Sequence, residues 1–187
     1  MRRLIVSEFL TLDGVMEAPG GEPTHPHAGW VGDFMSDEQM IYKLDEVLEA
    51  ESLLIGRVTY ESFADAWPKR EGEFADKMNM MPKHVVSTTL QHPVWENCEV
   101  IRDDVAGATR RLKAGDGGPI LVAGSQTLVA TLMEHDLVDE YRLMVFPVVV
   151  GGGKRLFPDN FAKTVLTLVD TQTFGSGVIV LTYHRSP

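Results

Sequence analysis

Apolar and polar positions along this chain switch repeatedly between a two-residue and a helical period, and the switches lay out alternating strands and helices. Leu4 to Leu12 alternates loosely and is rich in branched residues, which predicts a first strand broken by Asp13-Gly14. Ser36 then opens a helix as its N-cap, with Gln39 as the capping-box partner. Met40, Ile41, Leu44, Val47 and Leu48 supply the core-facing stripe expected of that helix through Ala50. Leu53-Leu54-Ile55 reads as a strand buried on both faces and ended by Gly56. The spacing of Val58, Phe63 and Trp67 is helical and stops at Pro68; a short helix or ordered loop is expected from Glu71 to Met80. Further strands are expected at Lys83 to Leu90, Cys98 to Ile101 and Pro119 to Ala123, with helices from Val105 to Ala114 and from about Gln126 to His135.

The last third changes character. Val138 to Val150 reads as one long apolar strand broken at Pro147, followed by the basic loop Gly151-Gly152-Gly153-Lys154-Arg155. Thr164 to Thr173 and Val178 to Arg185 form a hairpin about Phe174-Gly175-Ser176-Gly177. The expected class is therefore α/β with a mixed, mostly parallel sheet closed by an antiparallel hairpin. No repeat or linker divides the chain, so residues 1–187 are expected to form one domain, with the apolar strand and the hairpin as a candidate dimer surface. Glu17 to Gly32, with three prolines, four glycines and the histidines His25 and His27, is long enough to be a lid or binding loop. His-Pro-His is extended and has no carboxylate pair nearby, so a metal site is not expected there. Trp30 either packs on the core or walls a ligand pocket.

Composition narrows the partners. The chain has 187 residues, 44% of them hydrophobic and 24% charged, as in an ordinary soluble domain. Its net charge of −10 disfavours nucleic acid and anionic membranes, so an anionic ligand would need a local basic pocket. The only cysteine, Cys98, leaves no internal disulfide and reads as a small packed residue. The apolar run after Met1-Arg2-Arg3 soon reaches Glu8 and Asp13, which is too short for a secretory signal. No eighteen-residue apolar run exists, and a cytoplasmic protein is the expectation.

The chemistry gathers at the strand ends. A strand passing through glycine into a helix offers free N–H groups and the positive end of the helix dipole to an anion. That junction occurs at Gly56, followed by Arg57 and Thr59, and again at Gly124, followed by Ser125-Gln126-Thr127. Arg57 adds a fork-shaped cation suited to phosphate. Ser87-Thr88-Thr89 tips a third strand with hydroxyls, at the end where open α/β sheets bind ligands. Each feature alone reads equally as a surface turn; together they suggest one elongated anionic ligand along the strand ends.

The segments Ser87-Thr88-Thr89-Leu90, Val122 to Leu128, Leu137 to Tyr141 and Phe146 to Phe157, together with Thr11 to Gly14 and Leu54 to Phe63, resemble the dihydrofolate-reductase-like superfamily. The branch is the one related to the reductase domain of the bifunctional riboflavin-biosynthesis deaminase–reductase. The resemblance covers nearly the whole chain and implies a three-layer α/β/α dihydrofolate-reductase-like fold, NADPH as cofactor and a homodimer. It implies that Gly56, Arg57 and Thr59 hold cofactor phosphates, with Ser87 and Thr88 near the adenosine end and Arg57 on a 2′-phosphate. Gly124-Ser125 stands where the family has a Gly-Gly pair, often cis, and Gln126, Thr127 and Leu128 begin the phosphate-receiving helix. Trp30, Gln39 and Tyr60, with Asp13, fall on the substrate side.

Two departures bear on substrate. The carboxylate that dihydrofolate reductases carry on the first helix falls near Gln39 and Met40, and the glutamate that riboflavin-pathway reductases place before the Gly-Gly pair is Ala123. Asp13 is the carboxylate expected nearest the reacting ring, as proton donor or as the opening of an Asp-Gly turn; Glu17 and Asp33 are weaker candidates. Two functions are compatible with these residues. One is an NADPH-dependent reductase of a small heterocycle, pterin- or pyrimidine-like. The other is a non-catalytic NADP(H)-binding or sensor module that has lost its substrate-site acids.

Overall fold

The computed structural model describes residues 1–159 and 161–185. The chain runs β1 (Leu4–Thr11), α1 (Asp37–Glu49), β2 (Ser52–Gly56), α2 (Arg57–Ala66), α3 (Glu73–Met80), β3 (Lys83–Val86), β4 (Cys98–Ile101) and α4 (Val105–Ala114). It continues with β5 (Ile120–Val122), α5 (Gln126–Glu134), β6 (Glu140–Phe146), β7 (Leu166–Thr173) and β8 (Ile179–Arg185). Eight strands form one sheet in the order β4-β3-β2-β5-β1-β6-β8-β7. The first six in that order pair in parallel, and β8 joins β6 and β7 antiparallel. One face packs Leu4, Val6, Leu54 and Val122 against α4 and α5. The other packs Ile5, Leu53, Ile55 and Leu121 with residues from α1, α2 and α3. The period-two alternation of the strands thus feeds two separate cores, and the expected α/β/α layering holds.

Strand β5 does most to shape the carboxyl edge of the sheet, because it is only three residues long. It pairs with β1 over Leu4 to Val6 alone, whereas β1 stays paired with β6 to Thr11. Beyond Val6 the β5 side of β1 borders a slot in the sheet. The chain leaves β5 there through Ala123 and Gly124 into α5.

Three expectations need correction. The predicted strand from Lys83 to Leu90 ends at Val86, because Ser87 Oγ accepts from the amides of Thr89 (3.2 Å) and Leu90 (2.9 Å) and turns the chain. The long apolar strand ends at Phe146; with β1 on one side and β8 on the other, it has no free edge. At this end of the sheet the edge strand is β7, the outer strand of the hairpin, and it is largely exposed. Helix α1 has the expected capping box, but its apolar stripe divides: Val47 is buried and Leu44 half-buried, whereas Met40, Ile41 and Leu48 are 45%, 58% and 39% exposed. Its buried residues are Gln39, Glu46 and Val47. Charge pairing makes this tolerable. Glu46 accepts from Ser7 Oγ (2.8 Å) and from Lys43, and Arg142 Nη1 lies 3.8 Å from its other oxygen.

A second buried cation closes the far edge. Lys83 is fully buried, donates to the carbonyls of Asn79 (2.6 Å), Met81 (2.8 Å) and Glu96 (3.0 Å), and lies over the Trp95 ring. It satisfies carbonyls at the end of α3 that no helical amide can reach. Lys83→Met keeps the stem and strands those acceptors. Its expected cost is about 2–4 kcal/mol, read as a lower urea midpoint at unchanged slope; a cost below about 0.5 kcal/mol would mean the lysine is not the clasp described.

Candidate active site at the strand ends

The carboxyl ends of β3, β2 and β5 lie side by side on one edge of the sheet, in register through Gly56 beside Val86 and Leu54 beside Val122. Arg57, Ser87 and Gly124 therefore lie along one edge of the sheet. The two glycine corners also touch. A Cβ on Gly56 would fall 1.8 Å from Ser125 Oγ, and one on Gly124 would fall 2.6 Å from Thr59 Oγ1. Each corner leaves room for the hydroxyl of the other, so a side chain at either position requires that hydroxyl to move. Gly124 also has φ +69°, a conformation that favours glycine; Gly56 does not, and is needed for close approach alone. The Gly124–Ser125 peptide is cis.

The helix starts at this edge are bare. Helix α1 is capped by Ser36 and α4 by Asp104, which accepts from Gly107 N–H. Helix α2 begins at Gly56 and α5 at Ser125, and neither has a side-chain cap. Helix α3, away from the cleft, also lacks one. The first-turn amides of α2 and α5 are thus free for an anion, beside the exposed cation of Arg57. Arg57 makes a two-pronged pair with Glu61 (2.7 and 2.8 Å) across one helical turn, an exposed arrangement of small energetic weight. Arg102, exposed just past β4, stands at the outer end of the same row.

Other expected contacts fare differently. Thr88 and Thr127 are exposed and Gln126 is half-buried at the cleft edge, but Leu128 faces the core at 4% exposure. Ser87 is buried, its oxygen already engaged by its own turn. On the substrate side the structure ties up every named group. Gln39 is fully buried, its Oε1 accepting from Ser36 N–H and its Nε2 donating to Ser176 Oγ (both 2.8 Å). Tyr60 is buried with its hydroxyl accepting from the amides of Val94 and Trp95. Trp30 packs on Phe146 and donates to the Glu17 carbonyl (2.9 Å).

Asp13 is the clearest correction. Its carboxylate accepts from Thr11 Oγ1 (2.6 Å), Gly151 N–H (2.9 Å) and Val150 N–H (3.4 Å). The Thr11 hydroxyl above all, with those amides, holds its pKa below the usual carboxylate value. Asp13 is a staple on the Gly151 loop and stays ionised at neutral pH. Glu17 serves likewise, accepting from Lys154 N–H (3.0 Å).

The carboxyl that does border the slot is one that the motifs and spacings of the sequence do not single out. Glu8, in the middle of β1, is 8% exposed and accepts from Gly124 N–H at 2.6 Å. Burial pushes its pKa up to about 8, against the opposing pull of the Gly124 amide and of Lys43; Glu46 adds to the rise. Among the described residues its other oxygen, Oε2, has no hydrogen-bond partner, and the residue as a whole is 8% exposed.

The paired corners predict a compensating pair of substitutions. Gly56→Ala is expected to cost about 1–3 kcal/mol by driving its methyl onto Ser125 Oγ. Adding Ser125→Gly should recover about 1 kcal/mol or more of that loss. Urea unfolding of the two single variants and the double measures the coupling, and simple additivity would refute the contact.

The chain is 32% identical to the uncharacterized protein YyaP of Bacillus subtilis over 188 residues, spanning 98% of this chain and 95% of YyaP. Its fold matches a pyrimidine reductase-like protein from Corynebacterium diphtheriae with a TM-score of 0.72, at 12% identity, covering 100% of this chain and 92% of that one. It also matches a diaminohydroxyphosphoribosylaminopyrimidine deaminase/5-amino-6-(5-phosphoribosylamino)uracil reductase from Thermotoga maritima, with a TM-score of 0.68 at 15% identity. That match covers 99% of this chain but 57% of the larger protein. At such identities the two likenesses are of fold. A family model for the RibD C-terminal domain matches residues 2–180. With nearly its whole length inside that match, the chain belongs to the RibD C-terminal domain family.

Proposed function

We propose that this chain is an NADPH-dependent reductase that transfers hydride to a small heterocycle of the pterin or pyrimidine kind. The observation that carries the reading is the contact between the two glycine corners, which sets the uncapped starts of α2 and α5 side by side on one edge. Two bare helix starts suit a pyrophosphate, and the cation of Arg57 suits a further phosphate. In this reading the backbone at Gly56 and at Gly124-Ser125-Gln126 holds the pyrophosphate. Thr59 and Thr127 border it, and Thr88 stands towards the adenosine. The nicotinamide supplies the hydride when bound, and the chain's task is to orient it and the acceptor.

One set of observations favours the non-catalytic alternative: Asp13, Gln39, Tyr60 and Trp30 are all occupied in structural hydrogen bonds. Turnover separates the two. Tight NADPH binding with no oxidation across a panel of oxidised heterocycles, followed at the NADPH absorbance band, would favour a sensor.

The Arg57–Glu61 pair is weak enough for a phosphate to displace Glu61. Arg57→Ala is therefore expected to weaken NADPH binding about 10- to 100-fold and NADH binding very little. Fluorescence titration with both cofactors measures this, and an equal loss for the two would remove the 2′-phosphate role.

A further inference from the structure

Resting on the reductase reading, we propose that Glu8 is the catalytic acid: its Oε2 delivers a proton to the acceptor as hydride arrives. The substrate class is then a C=N or C=O group whose heteroatom must be protonated on reduction. Three observations support this. Glu8 lies on β1 just beyond its last pair with β5, beside the Gly124 corner where the chain turns from β5 into α5. Oε1 is fixed by Gly124 N–H, so the carboxyl is aimed, while Oε2 has no hydrogen-bond partner among the described residues and is left for a ligand. The other carboxyls nearby are committed: Asp13 to the Gly151 loop, and Glu46 to Ser7 and Lys43.

The surroundings keep the proton on Glu8 at neutral pH. The charged groups that face it are Lys43 and Glu46 of α1, which pull in opposite directions, and burial outweighs both. A carboxyl titrating near the working pH is matched to general-acid catalysis. The step balances. The acceptor carbon takes hydride with its electron pair from the reduced nicotinamide, and the double-bond pair moves to the heteroatom. There a new N–H or O–H bond forms as the Glu8 O–H bond breaks. The nicotinamide is oxidised, Glu8 is left as carboxylate, and solvent returns its proton.

Glu8→Gln keeps an acceptor for Gly124 N–H and removes the acid; Glu8→Asp keeps an acid that sits further back. With whichever heterocycle the wild-type protein reduces, Glu8→Gln is expected to lower turnover about 10²- to 10⁴-fold at nearly unchanged NADPH affinity, with Glu8→Asp between. Wild-type turnover should fall as pH rises through about 8, and the residual rate of Glu8→Gln should lack that limb. A second readout needs neither substrate nor cofactor. Carbon-13 NMR of glutamate-labelled, ligand-free protein should show one carboxyl titrating near pH 8, absent from both variants. If every glutamate titrates in the ordinary carboxylate range, or Glu8→Gln keeps wild-type rate and pH profile, the proposal is overturned while the reductase reading stands. If wild-type protein binds no NADPH, both fall together. Should Glu8→Gln fail to fold, Glu8→Asp and the wild-type titration decide.

Discussion

The carboxyl edge of the sheet is shaped by two glycine corners, each of which makes room for a hydroxyl from the other. Ser125 Oγ occupies the space that a β-carbon of Gly56 would need, and Thr59 Oγ1 the space beside Gly124. Because the contact is reciprocal, the start of α2 and the start of α5 are set by each other, and not independently by the strands that precede them. Packed interiors do not deform continuously. The consequence is that a single geometric relation fixes the spacing between two sets of free amides.

The short β5 is the second determinant. Had it run as far as β1, the sheet would be continuous and Glu8 would be one more residue facing a helix. By stopping at Val122, β5 opens a slot whose rim includes a strand carboxyl and the amide of Gly124. Charges on α1, over the opposite face, reach Glu8 through a sheet that is interrupted at that point. Helix α1 supplies those charges because its inward stripe is polar, held together by Ser7, Lys43, Glu46 and Arg142.

Much of this is legible in the sequence. Strands flanked by glycine and helices with clear caps lie within a few residues of their predicted bounds, since those signals are local. Which face of α1 turns inward is not legible. Met40, Ile41, Leu44, Val47 and Leu48 make a proper apolar stripe, yet of these only Val47 is fully inward, beside Gln39 and the ion-paired Glu46. The site residues divide in the same way. Backbone features at Gly56 and Gly124 are legible because glycine before a helix has few uses. Asp13 stands out as an acid near a loop, yet its amide partners come from residues more than 130 positions away. Glu8 leaves one signal: a carboxylate in Leu4-Ile5-Val6-Ser7-Glu8-Phe9-Leu10, in phase with the inward positions Leu4, Val6 and Leu10. A charge on the core phase of a strand is costly unless something there uses it.

The bare helix starts have a thermodynamic side. A serine or aspartate cap is worth about 1 kcal/mol, and α1 and α4 take that gain where α2 and α5 forgo it. Among the described residues no side-chain cap serves the first-turn donors of α2 and α5. Any anion seated there completes the main-chain bonding of two helices at once, so occupancy and folding are linked: a docked dinucleotide would act as a missing piece of the fold, lifting the melting point in proportion to the logarithm of its concentration.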